Sequence, residues 1–373
     1  MHTPYFKDIP SMNRIIEASK RRETKFELLR ILAMFLIVAH HFMFHGGFDF
    51  SSGELTFNSV WYGIMNLGGK IGLNIFMILS GYFLYKEKDQ KLFDLRKVLR
   101  FWLQIFFYSV IIFVIDLIIN KSFNASNLLH ALLPISFGTW QYVSAYFVIL
   151  LVSPFINILI RKLDKKSFLI LIVILLSLWT VMTTLTASKL ESNYVIWMVV
   201  LYFVGSYIRV YGFPFNIKKF KASLILLFVL LFMLASYCFI SLLSAKHQFL
   251  VGHEMYFYDM QRIPAVIASI LIFYLFYKSN FKSNWIINII SICTFGVFLI
   301  HDHYIVRELI WKSLFKNALF QNNPLLPLYS LGVCITVFSA CLLVEFLRKI
   351  TVENLFEHIY DSFLKRRSKD NVQ

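Results

Sequence analysis

Long apolar runs separated by short polar breaks divide this chain along nearly its whole length. A helix that crosses a bilayer needs about 20 mostly apolar residues. Ten runs reach that length: 26–44, 60–85, 97–119, 143–161, 167–187, 193–211, 221–243, 262–278, 285–304 and 326–347. The pattern predicts an all-α integral membrane protein with about ten transmembrane helices. Charged residues fill positions 1–25 and no small-residue cleavage site follows the first run. That run is therefore expected to be a retained span and not a signal peptide.

The breaks carry the orientation, because cytoplasmic loops hold the excess of Lys and Arg. With the N-terminus inside, the cytoplasmic pieces 1–25, 86–100, 161–166, 209–221, 278–282 and 348–373 together hold 28 basic residues. The opposite loops hold 7, and Arg30 and Lys70 fall within spans. Both termini are thus expected in the cytoplasm, with 45–59, 120–142, 244–261 and 305–325 among the outer loops. The division is a cytoplasmic segment 1–25, a membrane domain 26–347 and a cytoplasmic tail 348–373. The basic, partly amphipathic ends suit an anionic inner leaflet. No collagen-like, heptad or solenoid repeat interrupts this plan.

Composition sharpens the picture. The chain has 373 residues, 58% hydrophobic, 18% aromatic and 16% charged, with a mean hydropathy of +0.66. Soluble domains have about 25% charged residues, so an ordinary soluble enzyme is excluded. The net charge of +16 would suit nucleic acid, but no basic segment carries groove-reading or base-stacking motifs, and the basic residues mark topology instead. Cys238, Cys293, Cys334 and Cys341 all lie inside apolar runs and form neither a disulfide framework nor a CxxC site. Abundant Phe, Ile, Lys and Asn fit an AT-rich bacterial genome, which places the protein in a bacterial cell membrane as a multi-pass protein.

Ionisable side chains in lipid are costly and point to function. The first span carries Glu27, Arg30, His40, His41 and His45. At about 100° per residue, Arg30 and His41 come to within about 20° of one face and lie about 16 Å apart along the axis. Glu27 extends that stripe one turn inward and His45 one turn outward, while His40 faces elsewhere. The stripe predicts a polar seam with a cation at the cytoplasmic mouth and an imidazole in the outer part of the membrane. The competing reading is an interfacial Glu27–Arg30 pair with snorkelling side chains.

These residues, with three further segments in order, carry a resemblance. Arg30, ten residues and His41 open the first of ten spans, and GKIGLNIFMILSGYFLY (69–85), WQYVSAYFVILLVSPFIN (140–157) and VFLIHDHYIVRELIW (297–311) follow. Together they resemble the acyltransferase 3 family of integral-membrane acyltransferases, of the polysaccharide O-acetyltransferase type. The similarity covers about residues 24–350. It implies transfer of an acyl group, usually acetyl, from cytoplasmic acetyl-CoA to a hydroxyl of an envelope or capsular polysaccharide or its lipid-linked precursor. On this resemblance His41 is the catalytic histidine, Arg30 engages the donor, and Glu27 orients Arg30. The esterase-like domain that some members append has no counterpart here, so a step of that kind is expected elsewhere or not at all.

Physical chemistry agrees. A sugar hydroxyl is a poor nucleophile at neutral pH and needs a base to take its proton as it attacks a thioester. Histidine, with an ordinary pKa near 6.5, is largely neutral and available. A guanidinium suits bidentate phosphate contact, and the phosphates of acetyl-CoA keep that end of the donor out of lipid. An acyl-enzyme intermediate is equally compatible with the sequence.

Other positions carry open alternatives. Ser80 is a candidate for the donor mouth, with helix packing of Ser80–Gly81 as the alternative. Lys70, one turn before Asn74, either offsets a developing oxyanion or snorkels to the outer interface. His301 and Asp302 are acceptor-binding candidates, with Asp302 alternatively orienting a histidine. Three adjacent polar residues, His301, Asp302 and His303, cannot share one helix face, and no metal is expected. Trp140, with Gln141, Tyr142 and Tyr146, suits sugar stacking or the aromatic belt of the membrane interface. His247, His253, Glu254 and Asp259 are expected to be solvated. The acceptor site is expected at the outer ends of the first, second and ninth spans with loop 120–142. Rival readings are a polysaccharide flippase and a glycan polymerase. A transporter would show repeat symmetry and a polymerase a large charged outer loop, and neither is visible. Walker A, GxGxxG, HExxH and GxSxG patterns are absent.

Overall fold

Capping residues fix where the apolar runs become helices. Thr56 and Ser59 close a reciprocal capping box, and Asp94, Asp164, Asn193 and Asn284 each accept hydrogen bonds from first-turn amides. A computed structural model describes residues 16–17, 19–50, 55–87, 94–186, 193–357 and 359–360. Among these the elements are α1 (Thr24–Phe44), α2 (Phe57–Leu84), α3 (Leu95–Asn120), α4 (Ala125–Leu132), α5 (Gln141–Lys162), α6 (Lys165–Thr186), α7 (Tyr194–Tyr211), α8 (Lys219–Ser244), α9 (Ile263–Tyr277), α10 (Trp285–His301), α11 (Tyr304–Leu314) and α12 (Leu326–Thr351). Among the described residues, nine helical stretches are long and apolar enough to cross a membrane. A tenth arises if α10 and α11 are one broken span. Residues 1–15 and 18, and the tail residues 358 and 361–373, lie outside the described residues, and with them most of the stretches expected to be amphipathic.

One expectation is corrected. The ninth span does not run to residue 304: α10 ends at His301, and α11 leaves it at 78°. Within 120–142, Asn124 caps the short helix α4.

The bundle is built around α1 and α2. In each of α1, α2 and α7, 61% of the apolar window is buried against protein, compared with 17% for α8, which faces the surroundings with Phe220, Leu227, Phe228 and Leu231. The inner half of α1, with Phe26, Leu29 and Ala33, joins a core shared with α2, α7 and α9. Its outer half, with Met34, Ile37, Val38 and Phe42, joins a second core shared with α10 and α12. Two apolar cores therefore meet along one helix, and that helix carries the polar stripe.

Helix α2 crosses α7 at backbone distance. A Cβ at Gly81 would overlap the carbonyl of Tyr202, and one at Gly205 would overlap the carbonyl of Ile78. Ser206 Oγ donates to the Gly81 carbonyl at 3.1 Å. Small residues at a crossing are how membrane helices gain close van der Waals packing. Helix α7 ends at Gly212, whose φ of +74° suits glycine.

Polar ties hold the outer half. Trp197 Nε1 donates to Asn74 Oδ1 at 3.0 Å, and Asn74 Nδ2 donates to the Met260 carbonyl at 2.8 Å. Replacing Asn74 with leucine leaves a buried indole N–H and a carbonyl without this partner, at a cost of about 1–3 kcal/mol. Thermal unfolding of the detergent-purified chain should show a lower midpoint for Asn74→Leu and little change for Asn74→Gln. Helix α6 opens into a π turn over Ser177–Met182. The carbonyls that follow are met by Tyr256 Oη, at 3.2 Å from the Thr183 oxygen and 2.9 Å from the Thr184 oxygen. Arg262, stacked 4.0 Å above the Tyr256 ring, also donates to Thr183. In the 244–261 loop His247 and His253 are exposed, as expected, whereas Glu254 and Asp259 are only partly exposed, and the loop docks through Tyr258 and Met260.

Candidate active site

The stripe on α1 begins with a buried carboxylate at the inner end. Glu27 is almost fully enclosed and accepts from Arg30 Nη1 at 2.7 Å, Arg22 Nη1 at 3.0 Å and Ser291 Oγ at 2.6 Å. One acid therefore holds two guanidiniums. Both remain partly accessible, with side-chain exposures of 21% for Arg30 and 36% for Arg22. The Arg30 guanidinium also lies 5.1 Å from the centre of the Phe83 ring.

These two arginines open a cavity of about 390 Å³ that Lys97 also lines. Along α1 its wall is Arg30, Met34 and Ile37, spaced by four and three residues as one helical face requires. Ser80 lines the opposite wall on α2. Its Oγ donates to the Phe76 carbonyl at 2.8 Å and sits 3.4 Å from Tyr146 Oη. The structure thus separates the roles of neighbours: Gly81 packs the helix crossing, and Ser80 faces the cavity. At its outer end the cavity is closed by Leu73, Tyr142 and Phe298, with Tyr142 Oη held by the Leu73 carbonyl at 2.9 Å.

His41 is the next residue of the same stripe, one turn beyond Ile37, and lies behind Phe298, whose ring centre is 6.3 Å from its own. Here the break between α10 and α11 acts. Because α10 stops at His301, the three polar residues that follow one another need not share a helix face. His301 and Asp302 turn toward α1, while His303 Nδ1 accepts from the Ile305 amide and starts α11. His41 Nδ1 is 3.0 Å from His301 Nε2 and 3.4 Å from Asp302 Oδ1. Arg307 Nη1 lies 3.6 Å from Asp302 Oδ1 and 3.2 Å from His45 Nε2. Side-chain exposure rises outward, from 13% at His41 and 15% at Asp302 to 20% at His45 and 29% at Arg307. The cluster therefore opens toward the outer side.

Lys70 has no ion-pair partner among the described residues. His40 turns away, stacked on Phe44 at 5.4 Å and pressed against Gly69. Trp140 is not available for sugar stacking. It is 2% exposed and its ring abuts His303 at 5.1 Å, because the turn before α5 folds under the α10–α11 corner.

His41, His45 and Asp302 bring potential metal-ligand atoms within 4.8 Å of one another. Arg307 already lies between two of them, and a guanidinium beside His45 Nε2 and Asp302 supplies the positive charge that a metal would otherwise bring. Arg22, Lys97, Arg307, Ser291 and Phe298 were not singled out as site residues in the sequence, and Tyr142 was named there only for sugar stacking or the aromatic belt. Lys97 and Arg22 look like ordinary loop charges there, and Phe298 looks like lipid-facing apolar filler; only their convergence distinguishes them.

No curated protein and no solved structure matches the chain. A sequence model of the acyltransferase domain (Acyl_transf_3) does match, over residues 23–345. That span contains α1 to α11 and most of α12, with Glu27, Arg30, the histidine cluster and every cavity-lining residue except Arg22 inside it, and the chain belongs to the acyltransferase 3 family of membrane acyltransferases.

Proposed function

We propose that this membrane acyltransferase moves an acetyl group from cytoplasmic acetyl-CoA to a hydroxyl of an envelope or capsular polysaccharide, or its lipid-linked precursor, with His41 as the catalytic base. The observation that carries this reading is the single helical face Arg30–Met34–Ile37–His41. Its inner three residues line a cavity that begins at guanidiniums, and its outer residue sits in a cluster open to the other side.

The donor's phosphates stay at the inner mouth, where Arg22, Arg30 and Lys97 offer charge-assisted hydrogen bonds. Glu27 is a positioning residue that aims both arginines. The thin pantetheine arm runs up the apolar walls past Ser80. For the thioester to meet His41, the Phe298 and Tyr142 side chains that close the cavity must part. The acceptor hydroxyl enters from the outer side among Asp302, His45 and Arg307. As its oxygen attacks the carbonyl carbon, His41 takes the hydroxyl proton, the C–S bond breaks, and the thiolate of CoA leaves and is protonated. Lys70 offsets charge on the carbonyl oxygen. The same imidazole would serve if the acetyl group passed first to the histidine.

The test is ester-linked acetate on surface glycan from cells with and without the protein. Acetate that appears only with the protein, at constant total glycan, supports the reading. Unchanged acetate with altered surface glycan points to transport or polymerisation instead. The donor assignment has its own measurement. Titration of the purified chain with acetyl-CoA should show Arg30→Ala weakening binding about tenfold or more, as loss of a charge-assisted contact of about 1.5–3 kcal/mol requires. Glu27→Gln should weaken it less, since it misaims the guanidiniums without removing them. Unaltered binding in Arg30→Ala would place the donor elsewhere.

A further inference from the structure

Two imidazole nitrogens face each other at 3.0 Å in the outer cluster, and only one of them can bring the proton. The neighbouring backbone decides which. His301 Nδ1 lies 2.6 Å from the Val297 carbonyl oxygen, one turn back on α10. A carbonyl only accepts, so His301 Nδ1 carries the hydrogen. A neutral imidazole then leaves His301 Nε2 bare. Facing it, His41 Nδ1 must be the donor. A second acceptor agrees, since Asp302 Oδ1 approaches the same atom at 3.4 Å.

We infer that His301 is a positioning residue: through its bond to the Val297 carbonyl it fixes the proton of His41 on Nδ1 and presents Nε2 as the bare nitrogen. This rests on the proposed role of His41 as base and adds which atom acts and what selects it. His41 Nε2 has no hydrogen-bond partner among the described residues. His301 is fully buried, which removes it from direct contact with an acceptor. Its place at the end of α10 gives it a rigid backbone anchor. A hydroxyl proton taken at Nε2 leaves an imidazolium whose Nδ1–H still points at His301 and Asp302. The arrangement follows the logic of other catalytic histidines, whose second nitrogen is held by a neighbour so that the first is free.

The experiment is solid-state nitrogen NMR on the full chain in lipid bilayers with ¹⁵N-labelled histidine, His41 being assigned by difference from His41→Ala. In the wild type, His41 should show a protonated Nδ1 and a bare Nε2. His301→Phe keeps a ring but removes the acceptor, and should give a mixture of His41 tautomers. His301→Gln returns an acceptor oxygen near the lost Nε2 and should restore the single tautomer. The signals of the eight histidines other than positions 41 and 301 report whether each variant retains its fold. In inverted membrane vesicles with acetyl-CoA as the varied probe, His301→Phe should lower kcat about 10²-fold while KM for acetyl-CoA stays within about twofold, with His301→Gln in between. A bare Nδ1 on wild-type His41 overturns the inference, as does a His301→Phe protein that keeps the wild-type tautomer; in that case Asp302 holds the proton. The spectra are recorded without substrate. A chain that moved no acetyl would overturn the proposed function and leave the tautomer result standing.

Discussion

His41→Ala should remove ester-linked acetate from the surface glycan, a fall in transfer rate of about 10²–10⁴-fold, at matched membrane levels and unchanged total glycan. His40→Ala, one residue away, should keep most of the activity. The two imidazoles are adjacent in sequence but lie about 100° apart around the helix. His41 faces His301 and Asp302 at 3.0 and 3.4 Å, whereas His40 is wedged between Phe44 and Gly69. Truncating His40 leaves a void beside α2 and costs stability; truncating His41 removes the proposed base. The pair thus separates chemistry from packing on one turn of one helix. Activity lost in His40→Ala and kept in His41→Ala would show that the stripe had been assigned to the wrong face. Donor binding provides a cross-check: acetyl-CoA affinity should survive His41→Ala, because the proposed phosphate site begins at Arg30, about 16 Å away along the helix.

The other large effect lies where α2 crosses α7. Gly81→Leu places a branched side chain where the Tyr202 carbonyl already sits, and Gly205→Leu does the same against the Ile78 carbonyl. Neither obstacle is a mobile side chain, so the two backbones must move apart. Overpacking of a fitted interior costs about 1–3 kcal/mol even when side chains can shift, and a backbone obstacle belongs at or above the upper end. Both variants should therefore accumulate poorly in membranes and run as aggregates on size-exclusion chromatography in detergent. Ser80→Ala is the matched control. Ser80 faces the cavity and bonds only to its own helix and to Tyr146, so this variant should purify like the wild type. Gly81→Leu protein with wild-type yield and unfolding midpoint would mean that the helices do not cross so closely.

Much of this architecture was legible from residue type and spacing, for physical reasons. Membrane helices must satisfy their own backbone and present apolar side chains over a fixed length, so the predicted spans fall within a few residues of the observed helices. The Arg30–His41 stripe was legible because α1 is regular from Thr24 to Phe44, and a helical wheel holds as long as the helix does. Where regularity fails, the wheel fails with it. The run 285–304 is apolar enough to read as one straight span, yet it breaks after His301. The break turns Asp302 toward α1 and frees His303 to cap α11. Trp140 shows the same limit, since an aromatic residue beside a membrane interface has the same sequence signature whether its face is open or packed against His303.

Sequence by itself determined the membrane class, the approximate number of spans and the shared face of Glu27, Arg30 and His41, because hydropathy and helical period are properties of a single segment. Tertiary structure alone decided that Arg22 and Arg30 share one carboxylate, that Ser80 faces a cavity while Gly81 packs against Tyr202, and that His301 lies between Val297 and His41. The groups of His301 and His41 are 260 residues apart in the chain, and no local propensity encodes which nitrogen meets which. That is set by the packing of α1 against α10, which brings a backbone carbonyl, two imidazoles and a carboxylate within hydrogen-bonding range in one cluster.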